Sequence, residues 1–249
     1  MEIVHKMAIN VNLFYLASNP FFEAYIHSDF LGKCIFLGLV FLSVISWVIL
    51  IHKGWITRQA RVNSQEITQA FRNQRLNPLN LQIDEQKTLN PFANLYQVLK
   101  KHTLDILNKN QQSHKNTTNY LSPTDIDFVQ AHLSSTIANQ TKNLEKNLFI
   151  LSTVVSLGPF LGLLGTVWGI LTTFSELQAA SGAATNQTVL SGLSLALATT
   201  VLGLLDAIPA LIGYNYLKNS IRDFETDMES FSTEILASIE LQYRKVDVF

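Results

Sequence analysis

The chain has one cysteine, Cys34, in 249 residues, so no disulfide can form within it and no thiolate metal centre can be assembled. Its six histidines, His5, His27, His52, His102, His114 and His132, are scattered without metal-ligand spacing, and no metal site is expected. Charge is scarce too: Asp, Glu, Lys and Arg make up 15% of the chain and the net charge is −1. Lys100-Lys101 is too small a basic cluster for nucleic acid and reads as a solvated helix face. Eight of the eleven glycines fall inside apolar runs rather than in a phosphate-binding loop, and no nucleophile–base pair appears. No cofactor and no catalytic residues are therefore expected, and an enzyme is the weakest reading.

What the chain does have is long apolar runs. Cys34 to Ile51 and Leu148 to Phe174 contain no charge, and Val189 to Leu217 contains only Asp206. Each run reaches the roughly 17 residues or more that a helix needs to cross a hydrocarbon core of ~30 Å. Only helices bond all their backbone groups internally in runs of this kind. The expected fold is all-α, a polytopic membrane protein with three transmembrane helices at 30–51, 148–174 and 189–217.

Orientation follows from the basic residues. The loop at 175–188 has no Lys or Arg, whereas Lys53, Arg58 and Arg61 crowd the end of the first span, Lys142 and Lys146 precede the second, and Lys218 and Arg222 follow the third. By the positive-inside rule, 52–147 is a cytoplasmic helical region and 218–249 a cytoplasmic C-terminal helix. The loop at 175–188 and the segment 1–29 then face outward. That N-terminal segment resembles a short signal peptide, but Asn10 and Asn12 interrupt it and no cleavage site is clear, so it is expected to lie amphipathically at the membrane surface.

The region 52–147 reads as helical, with breaks at Asn77-Pro78-Asn80, at Asn90-Pro91 and over Gln111 to Asn119. Ser122, Pro123 and Asp125 form a helix-start signal. Apolar residues then recur from Ile126 through Val129, Leu133 and Ile137 to Leu144 and Leu148, and no breaker intervenes. One continuous helix is expected to rise from there into the second span. In the tail, Leu217, Ile221, Phe224, Met228, Phe231 and Ile235 alternate steps of four and three, a stripe that needs partner helices and finds them most simply in the chain's own cytoplasmic helices.

Within the spans, Gly158, Gly162, Gly165 and Gly169 share one helical stripe, and Gly192, Ala196, Thr199, Gly203, Ala207 and Ala210 form a second small face. Glycine inside a helix is costly unless another backbone comes close, so these faces meet each other or their copies in neighbouring subunits. Pro159 and Pro209 are expected to kink their helices, each freeing a carbonyl one turn earlier. Ser156, Thr166, Thr199 and Thr200 are placed to bond back to their own helices or to line a hydrated path. Asp206 is the residue of greatest interest. An intramembrane carboxylate costs roughly 2.5–3.5 kcal/mol on insertion scales and usually faces a protein or aqueous interior, although near the end of a span it can also reach the interface.

Pro159 to Ile170, PFLGLLGTVWGI, resembles the second-span signature of the TolQ, ExbB and MotA-related stators, which reads approximately P-Y-x-G-L-F-G-T-V-W-G-I. Gly192 to Asn215, GLSLALATTVLGLLDAIPALIGYN, is similar to their third span, and Ser43 to Ile51, with Ser46-Trp47, to the end of the TolQ first span. The middle cytoplasmic segment shows no such likeness. The resemblance, closest to TolQ, implies a bacterial inner-membrane motor subunit with its N-terminus outward and C-terminus cytoplasmic. It also implies a homo-oligomeric ring, pentameric by family resemblance, around a TolR/ExbD-type single-span partner that supplies an essential aspartate, with movement passed to a TolA/TonB-type energy transducer. Thr166 and Thr200 match family threonines that face the central path. Leu195, however, stands where the family has a glutamate. Asp206 follows it by eleven residues, about 20° round the helix and ~16 Å along it, as a candidate relocated charge. The alternative is a membrane scaffold of the same fold that has lost ion coupling.

Overall fold

A computed structural model describes residues 21, 25–26, 28–73, 78–81, 90–113, 120–179 and 186–243. The amphipathic reading of 1–29, the break at Asn77 and most of the polar run Gln111 to Asn119 fall wholly or largely outside these residues. Among the described residues are five long helices: α1 (Phe30–Asn73), α2 (Pro91–Ser113), α3 (Pro123–Glu145), α4 (Leu148–Ala179) and α5 (Asn186–Tyr243). The fold is all-α, and α1, α4 and α5 are long and apolar enough to cross a membrane. The chain divides into two compact units, Met1–Ile51 with Asn147–Asn215, and His52–Lys146 with Tyr216–Phe249.

In the first unit, α4 and α5 pack through their small residues while large apolar side chains point outward. Phe41, Val48, Phe160, Val167, Leu205 and Ile212 are all exposed. That surface suits lipid or further apolar helices, because helix association in a bilayer relies on close small-residue packing rather than on burial from water. The helices α1 and α5 run parallel and in register. Leu195 lies beside Gly32, Ser43 faces Asp206, and the Leu50 side chain covers Gly213, all at the same offset along the two helices.

In the second unit, the continuation of α1, then α2 and the end of α5, run one way and α3 returns. The apolar stripe of α5 is buried along its whole length, from Leu217 to Ile235. Its aromatic members meet the chain's own helices: Phe231 lies edge-on to Phe71 of α1, and Phe92 of α2 contacts both Phe224 and Phe231. Asn90 caps α2 by accepting from the backbone N–H groups of Phe92 and Ala93, and its amide donates to the Asn63 carbonyl at 2.9 Å. Ser122 caps α3 in a reciprocal box with Asp125, with Pro123 at the first helical position. Buried Tyr96 accepts the Leu81 backbone N–H at 3.0 Å, and burial raises its phenol pKa above the ordinary value.

One expectation is corrected. The helix through Leu144 does not continue into the second span: α3 ends at Glu145 and α4 starts at Leu148, with Asn147 at φ 72° between them. Asparagine tolerates this left-handed region better than most residues. The partner of the helix end is distant in sequence, because the buried Lys53 ammonium of α1 donates to the Leu144 carbonyl at 3.0 Å. In an unbroken helix that carbonyl would accept from Leu148. A cation at the negative end of α3 satisfies it instead, and the helix ends.

Candidate functional site: the seam between α4 and α5

The glycine stripe of α4 meets the small face of α5 so closely that a methyl group at several positions would strike backbone. A Cβ at Gly162 would lie 3.0 Å from the Thr199 carbonyl oxygen and the Thr200 Cα, and one at Gly158 would lie 3.0 Å from the Gly203 carbonyl oxygen. One at Gly169 would lie 2.9 Å from the Gly192 carbonyl oxygen, while Gly165 is closed off by the Thr199 side chain and Gly192 by that of Thr173. Of the two arrangements open to the small faces, this chain uses the one in which they meet each other. Both helices continue through their prolines, α4 through Pro159 and α5 through Pro209.

The hydroxyls divide into two groups. Ser156 donates to the Ser152 carbonyl, Thr166 to Leu163 at 2.7 Å, and Thr199 to Leu195 and Ala196, all within their own helices. Thr200 instead crosses the seam and donates to the Gly162 carbonyl at 3.1 Å, one turn before Thr166 on α4. The absence of a side chain at Gly162 permits this approach.

Asp206 lies on the other side of α5. It is buried, and neither carboxylate oxygen makes a hydrogen bond of good geometry among the described residues, although the Ser43 hydroxyl is close enough to interact. Ser43 of α1 is the polar side chain facing it. A buried carboxylate in a span is a costly arrangement. Leu195 is also buried, packed with Ala198 and Phe21 and set beside Gly32 near the start of α1. Leu195 and Asp206 thus both turn toward α1, whereas Thr200 turns toward α4. Asp206 is not brought together with Thr166 or Thr200.

Asp29 was missed by the sequence reading. One of its oxygens accepts from the Gly32 backbone N–H at 3.0 Å at the start of α1, and the other accepts the indole N–H of Trp168 at 2.7 Å. The available signal was an aspartate immediately before an apolar helix, a cap position. Its second bond, to a residue 139 positions away, has no local signature.

Comparison with known proteins places this geometry in context. Residues 100–230 match the MotA/TolQ/ExbB proton channel family. The chain is similar to the biopolymer transport protein ExbB of Pseudomonas putida, 28% identical over 214 residues, which covers 85% of this chain and 61% of that protein. It is 26% identical to ExbB of Salmonella typhimurium over 230 residues, covering 90% of this chain and 86% of that protein. It is also 39% identical to the Tol-Pal system protein TolQ of Haemophilus influenzae over 103 residues, 41% of this chain and 45% of that protein. The chain therefore spans less than two thirds of the Pseudomonas protein and of the Haemophilus protein. The longer alignments are with ExbB, and among the shorter ones ExbB of Aquifex aeolicus, 43% identical over 103 residues, exceeds TolQ over the same length.

Proposed function

Because the chain belongs to the MotA/TolQ/ExbB proton channel family, we propose that it is a stator subunit that couples the proton motive force to cell-envelope maintenance or outer-membrane transport. The match across α4 and most of α5 carries this reading. Several copies form a ring in the bacterial inner membrane, with the N-terminus outward and the C-terminus cytoplasmic. The ring surrounds a TolR/ExbD-type single-span protein, and a TolA/TonB-type transducer receives the movement. Thr166 and Thr200 serve as polar stepping points near the partner's carboxylate, and Asp206 acts as the relocated protonatable group. Its burial inside the span, faced by the neutral Ser43 hydroxyl, supports that role, since a carboxylate at membrane depth is costly and usually functional.

A second reading has one observation in its favour. Leu195 occupies the family's glutamate position and is buried in apolar contacts, as in an uncoupled scaffold that keeps the fold. Gentle purification from native membranes, followed by proton-flux assays in vesicles, separates the two. A ring around a single-span protein with an intramembrane aspartate, and flux reduced about tenfold or more by Asp206→Asn, is the expected result. Unchanged flux in that variant removes Asp206 from the path. A complex with no ionisable partner span leaves the scaffold reading.

A further inference from the structure

We propose that the second unit carries a docking groove for a cationic segment of a partner protein, independent of any ion conduction in the spans. An open groove of about 600 Å³ lies between α3 and the Glu229 to Glu240 stretch of α5. Ile126, Ile137 and Leu236 supply apolar walls, while Asp127, Glu229 and Glu240 supply carboxylates. No lysine or arginine lines it. The imbalance extends beyond the groove, because α5 carries six carboxylates and no Lys or Arg from Asp223 to Tyr243, of which Glu234 is paired with Arg72 of α1. Neither Asp127 nor Glu229 has an ion-pair partner among the described residues.

A second observation points independently to a ligand. Ser232 is more than nine-tenths buried, yet it lines the groove, and its hydroxyl has no hydrogen-bond partner among the described residues. Its neighbours Thr233 and Ser238, by contrast, donate to carbonyls one turn back. That hydroxyl borders the groove and is available to donate to or accept from whatever enters it.

The chemistry of the walls selects the occupant. Anions are excluded by the carboxylates, and the start of α3, the one positive helix end nearby, is already filled by the Ser122 and Asp125 cap. Metal ions lack a ligand set, since no cluster of three or more carboxylate, imidazole or thiol groups occurs among the described residues. Apolar walls with an acidic rim fit a short segment that presents Lys or Arg beside one or two aliphatic side chains. The volume holds a few side chains rather than a domain. Such a segment must reach the same side of the membrane as this unit.

The test uses the full-length chain in zwitterionic nanodiscs and a fluorescent synthetic peptide containing lysines and leucines. The pair Asp127→Asn with Glu229→Gln is expected to weaken peptide binding about tenfold or more, as is filling the groove with Ala237→Trp. The pair Asp223→Asn with Asp227→Asn, which removes the same charge outside the groove, is expected to change binding less than about twofold. Equal losses from both carboxylate pairs would mean general charge attraction and would overturn the site. In cells, a photoreactive residue at position 237 is expected to cross-link to a Lys- or Arg-bearing segment of another protein, and to lose that product in the Asp127→Asn, Glu229→Gln background. Cross-links to a second copy of this chain, or to its own C-terminus, would overturn the proposal.

Discussion

Trp168 donates its indole N–H to the Asp29 carboxylate at 2.7 Å, tying α4 to the residue that caps α1. Trp168 sits in the second-span signature, where its presence would otherwise suggest lipid contact or the ion path. A double-mutant cycle separates the bond from its surroundings. Trp168→Phe and Asp29→Ala are each expected to lower thermal stability in detergent, with a coupling of about 1 kcal/mol, typical of a hydrogen bond to a charged acceptor at an exposed site. Additive effects would show that the two residues act separately.

Gly162 and Gly38 are both glycines in apolar helices, but only one has a neighbour. A methyl at Gly162 meets α5 backbone at 3.0 Å, whereas one at Gly38 meets nothing within 4 Å. Gly162→Ala is therefore expected to destabilise the first unit by about 1–3 kcal/mol, because two backbones must separate to admit the methyl. Gly38→Ala removes a poor helix former without a clash, and is expected to be neutral or stabilising by up to about 1 kcal/mol. Thermal unfolding of both variants in one detergent checks the contrast, and similar losses would deny the close packing.

The fold class was legible because its signals are local and strong. Three long apolar runs, two of them without a charge, define three helices, and the glycine stripe of α4 announces close contact without naming a partner. The Ser122 to Asp125 cap is a four-residue pattern and emerged intact. What sequence could not supply depends on residues far apart. The end of α3 is stabilised by Lys53, 91 positions before the carbonyl it binds, and in a list of residues that lysine reads only as a marker of membrane orientation. The same limit applies to the candidate site. Asp206 is conspicuous as the one carboxylate in its run, but that it faces Ser43 rather than the threonines follows only from the register of α1 against α5.

Lys53 gives a test of that helix end. Replacing it with Met keeps much of the apolar stem but removes the donor to the Leu144 carbonyl, leaving the end of α3 without its cation. The expected cost is about 1.5–3 kcal/mol, the range for a hydrogen bond involving a charged group. The loss should concentrate at the end of α3, so hydrogen exchange at residues 141–146 is expected to accelerate well beyond that at the start of the helix. Uniform acceleration along α3 would instead indicate a general loss of packing.

His102 of α2 and His132 of α3 stack with ring centroids 4.1 Å apart and planes 12° from parallel, and Phe128 packs edge-on against both. Burial lowers the His102 pKa below the ordinary imidazole value, with further lowering from His132 and then Lys101, and a smaller opposing effect from Asp105. A group that binds its proton less readily when folded stabilises the fold above its unfolded pKa. In the interval between the folded and unfolded values the unfolded chain holds more protons, so stability rises with pH there and falls on acidification. Unfolding temperature is therefore expected to decline as pH drops from about 7 through the ordinary histidine value of about 6.5, and to stop responding to this group once the folded imidazole is also protonated. His102→Gln should keep a planar polar side chain and flatten that part of the profile without removing the acid sensitivity of other groups. An unfolding profile with the same slope in the variant would assign the pH dependence elsewhere, and a steeper slope would mean that His102 binds its proton more tightly in the folded state.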